Sequence, residues 1–221
     1  MMKIKICGIR DDAGLKAAID GKANFFGMVM AHESPRYIDM ALAKYLMSLA
    51  GTKIKPVLLL VNPALDEAID LLKKLDPFAL QLHGGESPDF CMALKMQTSQ
   101  KIIKAIAIED KDDMVKMVDY EKSVDYFLLD AKPQKNTSRH GGLGKMFDWN
   151  LLEDYSVKKP FFLAGGLNVD NIATLIKKIT KIDSAYSQFY GVDVSSGVEE
   201  SLGKKSPIKI KKFCAAIKKN I

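Results

Sequence analysis

Residues 160–176 read PFFLAGGLNVDNIATLI: Pro160 to Ala164, then Gly165-Gly166-Leu167-Asn168, then Val169 to Ile176. The first five are apolar, the composition of a short strand buried on both faces. Two glycines break the run. Val169, Ile172, Ala173 and Ile176 then fall at i, i+3, i+4 and i+7, one face of a helix that starts after Asn168. Strand, glycine turn and helix in this order are the opening of a parallel crossover unit.

The unit recurs along the chain. Strands are expected at Lys3–Cys7, Phe25–Met30, Pro56–Val61, Phe78–Leu82, Lys101–Ala107, Val124–Asp130, Pro160–Ala164 and Tyr190–Val194. Leu65, Ala68, Ile69 and Leu72 repeat the helical spacing, with Asn62 as N-cap and Pro63 at the first helical position. Ile210, Phe213, Cys214 and Ile217 repeat it after Ser206-Pro207, and Ser87-Pro88 and Asp39 mark two further helix starts. Such alternation demands a parallel sheet, either an open doubly wound sheet or a closed barrel. Eight units with no linker or composition break favour a single-domain (β/α)8 TIM barrel spanning residues 1–221. Ala131–Phe147 is the longest irregular stretch, and a loop of that length is expected to be functional.

Bulk properties remove several classes. The net charge is +6, but much of the excess is Lys209, Lys211, Lys212, Lys218 and Lys219 interleaved with apolar residues, a solvated helix face rather than a nucleic-acid footprint. No run approaches the ~20 apolar residues of a membrane span, and the N-terminus lacks the pattern of a secretory leader. Three widely spaced cysteines, Cys7, Cys91 and Cys214, argue against a disulfide framework and for a cytoplasmic protein. No Cys/His cluster suggests a metal, so none is expected. Cys91 and Cys214 sit on apolar helical faces and should be buried and inert, whereas Cys7 should open onto the substrate cleft.

In a barrel of this kind the active site lies at the C-terminal ends of the strands. Those positions hold Cys7, Arg36, Asn62, Gln81, His83, Asp130, Gly165-Gly166, and Asp193 with Ser195, Ser196 and Gly197. The last two exits suit phosphate: glycines let the backbone approach an anion, and the amides of Gly166, Leu167, Ser196 and Gly197 can point at it. A lone cysteine at a strand end is by itself more often inert core. Asp130, closing an apolar strand, reads equally as a structural ion pair or as an acid with a raised pKa. His83 reads first as a hydrogen-bonded or capping histidine. Arg36, after Ser34-Pro35, is either a surface residue or a bidentate grip on a carboxylate.

Taken together these segments resemble the phosphoribosylanthranilate isomerase family. The resemblance is carried by Lys5-Ile6-Cys7-Gly8-Ile9-Arg10, Ser34-Pro35-Arg36-Tyr37-Ile38, Val61-Asn62, Leu80-Gln81-Leu82-His83-Gly84 and Leu128-Leu129-Asp130. It continues through Gly141-Gly142-Leu143-Gly144, Phe147-Asp148-Trp149, Leu163 to Asn168, and Gly191 to Glu199. It implies an Amadori rearrangement of phosphoribosylanthranilate in tryptophan biosynthesis, with Asp130 as general acid, Cys7 as general base and Arg36 on the anthranilate carboxylate. Gln81, His83 and Asp193 would complete substrate contact. Gly142, Gly144, Gly165, Gly166, Leu167, Ser195, Ser196 and Gly197 would hold the phosphate. The nitrogen of the substrate serves as electron sink, so no cofactor is implied, and the enzyme would act as a monomer or homodimer. Gly85 departs from the family, which usually has an acid there, and Lys177–Tyr190 looks a few residues long. A metal-dependent pentose-phosphate epimerase would need more histidines than His32, His83 and His140; an indole-glycerol-phosphate synthase would need lysines at the strand exits. A catalytically dead scaffold barrel would not need both Cys7 and Asp130.

Overall fold

The computed structural model describes residues 2–131, 148–153, 158–182 and 186–220. Its eight parallel strands are β1 (Lys3–Cys7), β2 (Phe25–Val29), β3 (Lys55–Leu60), β4 (Ala79–Leu82), β5 (Lys101–Ile108), β6 (Tyr126–Ala131), β7 (Phe161–Leu163) and β8 (Phe189–Val194). They pair in sequence order, and β1 pairs with β8 to close the barrel, with Lys5 opposite Asp193. The helices between them are α1 (Asp12–Asp20), α2 (Met40–Ala50), α3 (Leu65–Leu75), α4 (Pro88–Gln97), α5 (Lys111–Val115), α6 (Met117–Tyr120), α7 (Ile172–Ile179) and, after β8, α8 (Pro207–Lys219). No helix among the described residues is long and apolar enough to cross a membrane.

Alternation along each strand makes two apolar layers. Outward-facing Ile6, Phe26, Leu58, Phe127 and Phe161 pack against the helix stripes, Leu15, Leu46, Leu72, Leu94, Leu175 and Phe213 among them. Inward-facing Phe25, Val57, Ala79, Ile103, Leu128 and Phe162 fill the barrel, and Phe25 meets Phe162 edge-on at 5.8 Å. Each of the larger of these side chains, fully buried, contributes roughly 1.5–3 kcal/mol. The barrel is therefore a plugged floor, and polar chemistry is confined to the strand ends above it.

The expected caps at Asp39, Ser87 and Ser206 are present, each side chain accepting from an amide three residues on. Asn62 is a correction. Helix α3 starts at Leu65, with Ala64 in the cap position making no side-chain bond. Asn62 is instead left-handed (φ +47°), a conformation asparagine tolerates, and its Oδ1 accepts from Gly85 N at 2.7 Å. It ties the exit of β3 to the exit of β4. Strand β6 begins two residues later than expected because Asp125 caps the neighbouring strand, accepting from Ile102 N at 3.0 Å. After β8 the chain forms a short hairpin, β9 (Glu199–Ser201) and β10 (Lys204–Lys205), which the sequence did not reveal. Most of the Ala131–Phe147 stretch, with Gly142, Gly144 and His140, lies outside the described residues.

Candidate active site

Strand β1 sends Lys5 and Cys7 to the barrel interior, two residues apart on one face. Lys5 is fully buried, and its Nζ donates to Asp193 Oδ1 at 3.0 Å. Its charge also acts on the Cys7 thiol. A Cβ on neighbouring Gly27 would sit 2.8 Å from Cys7 Sγ and 3.3 Å from Lys5 Nζ, so only glycine leaves room for both groups.

The expectation that Cys7 opens onto the cleft needs correcting. Its exposure is 5%, and it packs with Val29 and Leu59. Burial pushes the thiol up from its ordinary value, and Asp193 adds to this, while Lys5 and Lys205 pull it down. Cys91 and Cys214 are buried as expected, their thiols pushed up to about 11 by burial.

Asp130 ends β6 and is reachable from the mouth, with protein on most sides. Burial, aided by the charge of Asp193, pushes its carboxyl up to about 6. His83 follows β4 and moves the other way, to about 4, because of burial and the nearby cations Lys5 and Lys104. Gln81, fully buried, places Nε2 2.9 Å from His83 Nδ1. With the amide nitrogen as donor, Nδ1 accepts and Nε2 carries the proton, facing Asp130 Oδ2 at 3.6 Å. The loop carrying His83 is pinned by buried Lys104, which donates to Gly84 O at 2.7 Å and to Glu86 Oε2 at 2.8 Å. Glu86 in turn accepts from the amides of Asn62 and Gly84.

Arg36 lies across Gly8, the residue after Cys7. Its Nε and Nη2 pair with Glu199 Oε1 and Oε2 at 2.7 and 2.9 Å. Glu199 also accepts from Lys205 Nζ at 2.7 Å and Gly203 N at 3.2 Å. The hydrogen bonds of Arg36 and the charge of Lys205 overcome burial and hold the Glu199 carboxyl down at about 2. Two cations thus share one anion, leaving a positive excess beside Cys7. The side-on pairing leaves Nη1 of Arg36 outside the Glu199 contact. Neither Glu199 nor Lys205 was singled out from the sequence, because the hairpin that carries them has no strand-like periodicity.

Ser195 Oγ donates to Cys7 O at 3.2 Å and accepts from Lys205 at 3.1 Å, which ties the β8 exit to β1. Gly165 and Gly166 have φ of +80° and +66°. A Cβ on Gly165 would lie 2.4 Å from Ala131 N and 2.9 Å from Asp130 Oδ1, so the β7 exit folds directly onto the end of β6. The β8 exit packs equally closely on Leu167 through Gly197. Gly166-Leu167 and Ser196-Gly197 therefore meet at one edge of the mouth, with Cys7, Asp130 and Arg36 around the rest of it.

Residues 4–216 match the family model of N-(5'phosphoribosyl)anthranilate (PRA) isomerase. The N-(5'-phosphoribosyl)anthranilate isomerase of Rhodopseudomonas palustris is 38% identical over 214 residues, 96% of each chain. The chain belongs to the PRA isomerase family. Membership makes it an isomerase of the aminosugar-to-ketose type. Among solved structures, the phosphoribosyl anthranilate isomerase of Thermotoga maritima superposes with a TM-score of 0.86 at 30% identity, covering 99% of this chain and 100% of that one. A phosphoribosyl anthranilate isomerase in complex with reduced 1-(o-carboxyphenylamino)-1-deoxyribulose 5-phosphate superposes at 0.81 with 28% identity, covering 99% and 100%. The closed barrel is thus the PRA isomerase barrel, and Cys7, Asp130 and the paired glycine exits stand at the C-terminal ends of its strands.

Proposed function

We propose that this chain converts N-(5-phosphoribosyl)anthranilate to 1-(2-carboxyphenylamino)-1-deoxyribulose 5-phosphate in tryptophan biosynthesis, with Asp130 as general acid and Cys7 as general base. The observation that carries this reading is Asp130, a carboxyl at the barrel mouth whose surroundings raise it to about 6. A carboxyl at its ordinary value would hold almost no proton near neutrality; this one keeps it in roughly one molecule in ten at pH 7.

The chemistry follows from these groups. Asp130 delivers its proton to the ribose ring oxygen as the bond to C1′ breaks, giving an open-chain iminium. Cys7, as thiolate, takes the proton from C2′, and the electron pair flows to the iminium nitrogen to give an enolamine. Proton addition at C1′ and loss from the C2′ hydroxyl give the ketone, with no net change in protons or electrons. General acid and general base steps each contribute about 10²–10⁴-fold.

Binding is assigned to the rest of the mouth. Arg36, oriented by Glu199, offers its outer edge to the anthranilate carboxylate. Gly165, Gly166, Leu167, Ser196 and Gly197 offer backbone amides to the phosphate, with Ser195 beside them; Gly142 and Gly144, outside the described residues, are assigned to the same group on the family resemblance alone. Gln81, His83 and Asp193 border the ribose. The substrate is anionic at both ends, which suits the positive excess around Arg36 and Lys205. The chain acts as one catalytic barrel, as a monomer or homodimer, and its three free cysteines suit a reducing cytoplasm. Incubation with freshly generated substrate should yield the ketose, identified by its carbonyl carbon resonance. Unchanged substrate in the presence of folded protein would overturn the assignment.

A further inference from the structure

Lys5 is a charged residue at full burial, in a barrel interior that is otherwise apolar below it. Removing an ammonium from water costs several kcal/mol unless its donors and its charge are matched. Asp193, its register partner on β8, supplies one acceptor at 3.0 Å. Below this pair the inward-facing side chains are apolar, Phe25, Val57, Leu128 and Phe162 among them. What distinguishes the position is the thiol directly above it.

The charges that act on Cys7 are Lys5 on its own strand, Asp193 on β8 and Lys205 on β10; Arg36 lies against the next residue, Gly8, and His83 and Asp130 face each other elsewhere at the strand ends. Two lysines favour its thiolate against the opposing effect of burial. Lys205, however, spends its donors on Glu199 Oε1 at 2.7 Å, Ser195 O at 3.0 Å and Ser195 Oγ at 3.1 Å. An ammonium has three donors, so Lys205 acts on Cys7 through space only. Arg36 is engaged with Glu199, and His83 is neutral near physiological pH. Lys5 has one carboxylate contact at Asp193, and it shares with Cys7 the space that Gly27 leaves open.

We infer that Lys5 is a positioning residue for Cys7: its ammonium, clamped by Asp193, is the counter-charge that receives the thiolate when the base forms. Lys5 lies beneath the thiol, away from the mouth, so it acts through Cys7 and not on the substrate. The inference rests on the reading of Cys7 as the general base, and it explains how a cysteine at 5% exposure can serve as one. The thiolate forms against a cation already in place, with no solvent reorganisation.

The test uses the full chain carrying Cys91→Ala and Cys214→Ala, so that Cys7 is the one thiol. The pH titration of thiolate ultraviolet absorbance is recorded for this background, for Lys5→Met and for Lys5→Arg, together with pH profiles of turnover. Lys5→Met should raise the Cys7 titration by about one unit or more, and slow alkylation at fixed pH by about tenfold. Its kcat should fall while KM changes little, and Lys5→Arg should restore much of both. A folded Lys5→Met protein with an unshifted titration overturns the inference; that would be a merely structural ion pair. Should Lys5→Met not fold, Lys5→Gln keeps a donor for Asp193 while removing the charge, and the same shift decides. Full turnover in Cys7→Ala would instead sink the general-base reading, whatever the titration of Lys5→Met shows about Lys5.

Discussion

Asp130 and His83 face each other across the barrel mouth, Oδ2 3.6 Å from Nε2, with their proton affinities inverted: the carboxyl stands at about 6 and the imidazole at about 4. In water the histidine would hold a shared proton; here the aspartate does. The cause is burial acting on groups of opposite charge type, since it disfavours carboxylate and imidazolium alike. The inversion leaves the proton on Asp130 rather than on the histidine, which is what the proposed general-acid role requires.

Asp130→Asn should therefore lose at least about 100-fold in turnover, whereas His83→Asn keeps an acid in place and should lose far less. Stability should move the other way. A carboxyl whose folded pKa is raised from 3.8 to about 6 favours the fold fully below the unfolded value and loses that contribution as pH rises through about 6. Asp130→Asn removes a charge that is penalised above pH 6. It should stabilise the protein by on the order of 1–2 kcal/mol at pH 8, after discounting for partial exposure, and by little at pH 4. Thermal unfolding at the two pH values checks this; equal effects at both would contradict it.

Arg36→Met should chiefly raise KM. A carboxylate clamp holds ground state and transition state alike, so its loss removes uniform binding. Glu199 keeps Lys205 as its partner in this variant, so the fold should survive. Steady-state kinetics decide: a large fall in kcat at unchanged KM would make Arg36 part of the chemistry.

Inorganic phosphate should inhibit competitively and bind between Gly166-Leu167 and Ser196-Gly197, where the exits of β7 and β8 meet. Crystals soaked in phosphate check the location. An ion bound elsewhere, with these loops empty, would remove the phosphate assignment.

Cys91→Ala and Cys214→Ala should keep full activity and cost about 1 kcal/mol each, the loss of a small buried hydrophobe. Denaturant unfolding with parallel assays checks both. A loss of activity without a loss of stability in either variant would mean that Cys7 is not the one functional thiol.

Much of this was legible in the sequence because strand and helix periods are local. The eight strands stand within about two residues of their expected ends, and Ile210, Phe213, Cys214 and Ile217 form the buried stripe of α8. What was not legible depends on distant partners. Asn62 looked like a cap until Glu86 and Gly85 claimed its amide and side chain. Cys7 looked accessible because its strand ends beside it, yet Val29 and Leu59 pack against it. Lys5 carried one overlooked signal: a charged residue in step with Cys7 on a strand buried on both faces must find a counter-charge across the barrel. Glu199 stood in a quoted segment without a role and Lys205 gave no signal, since Glu199 meets Arg36 across 163 residues and Lys205 across 6, contacts that exist only once the hairpin has folded.

The most direct measurement is turnover of freshly generated N-(5-phosphoribosyl)anthranilate, followed by loss of its anthranilate-type fluorescence, with the unmodified chain, Cys7→Ala and Asp130→Asn at equal folded concentrations. The unmodified chain should turn over, and each variant should fall by about 100-fold or more while still binding a product analogue. An inactive unmodified chain, or either variant retaining more than about a tenth of its turnover, would contradict acid–base catalysis by Asp130 and Cys7.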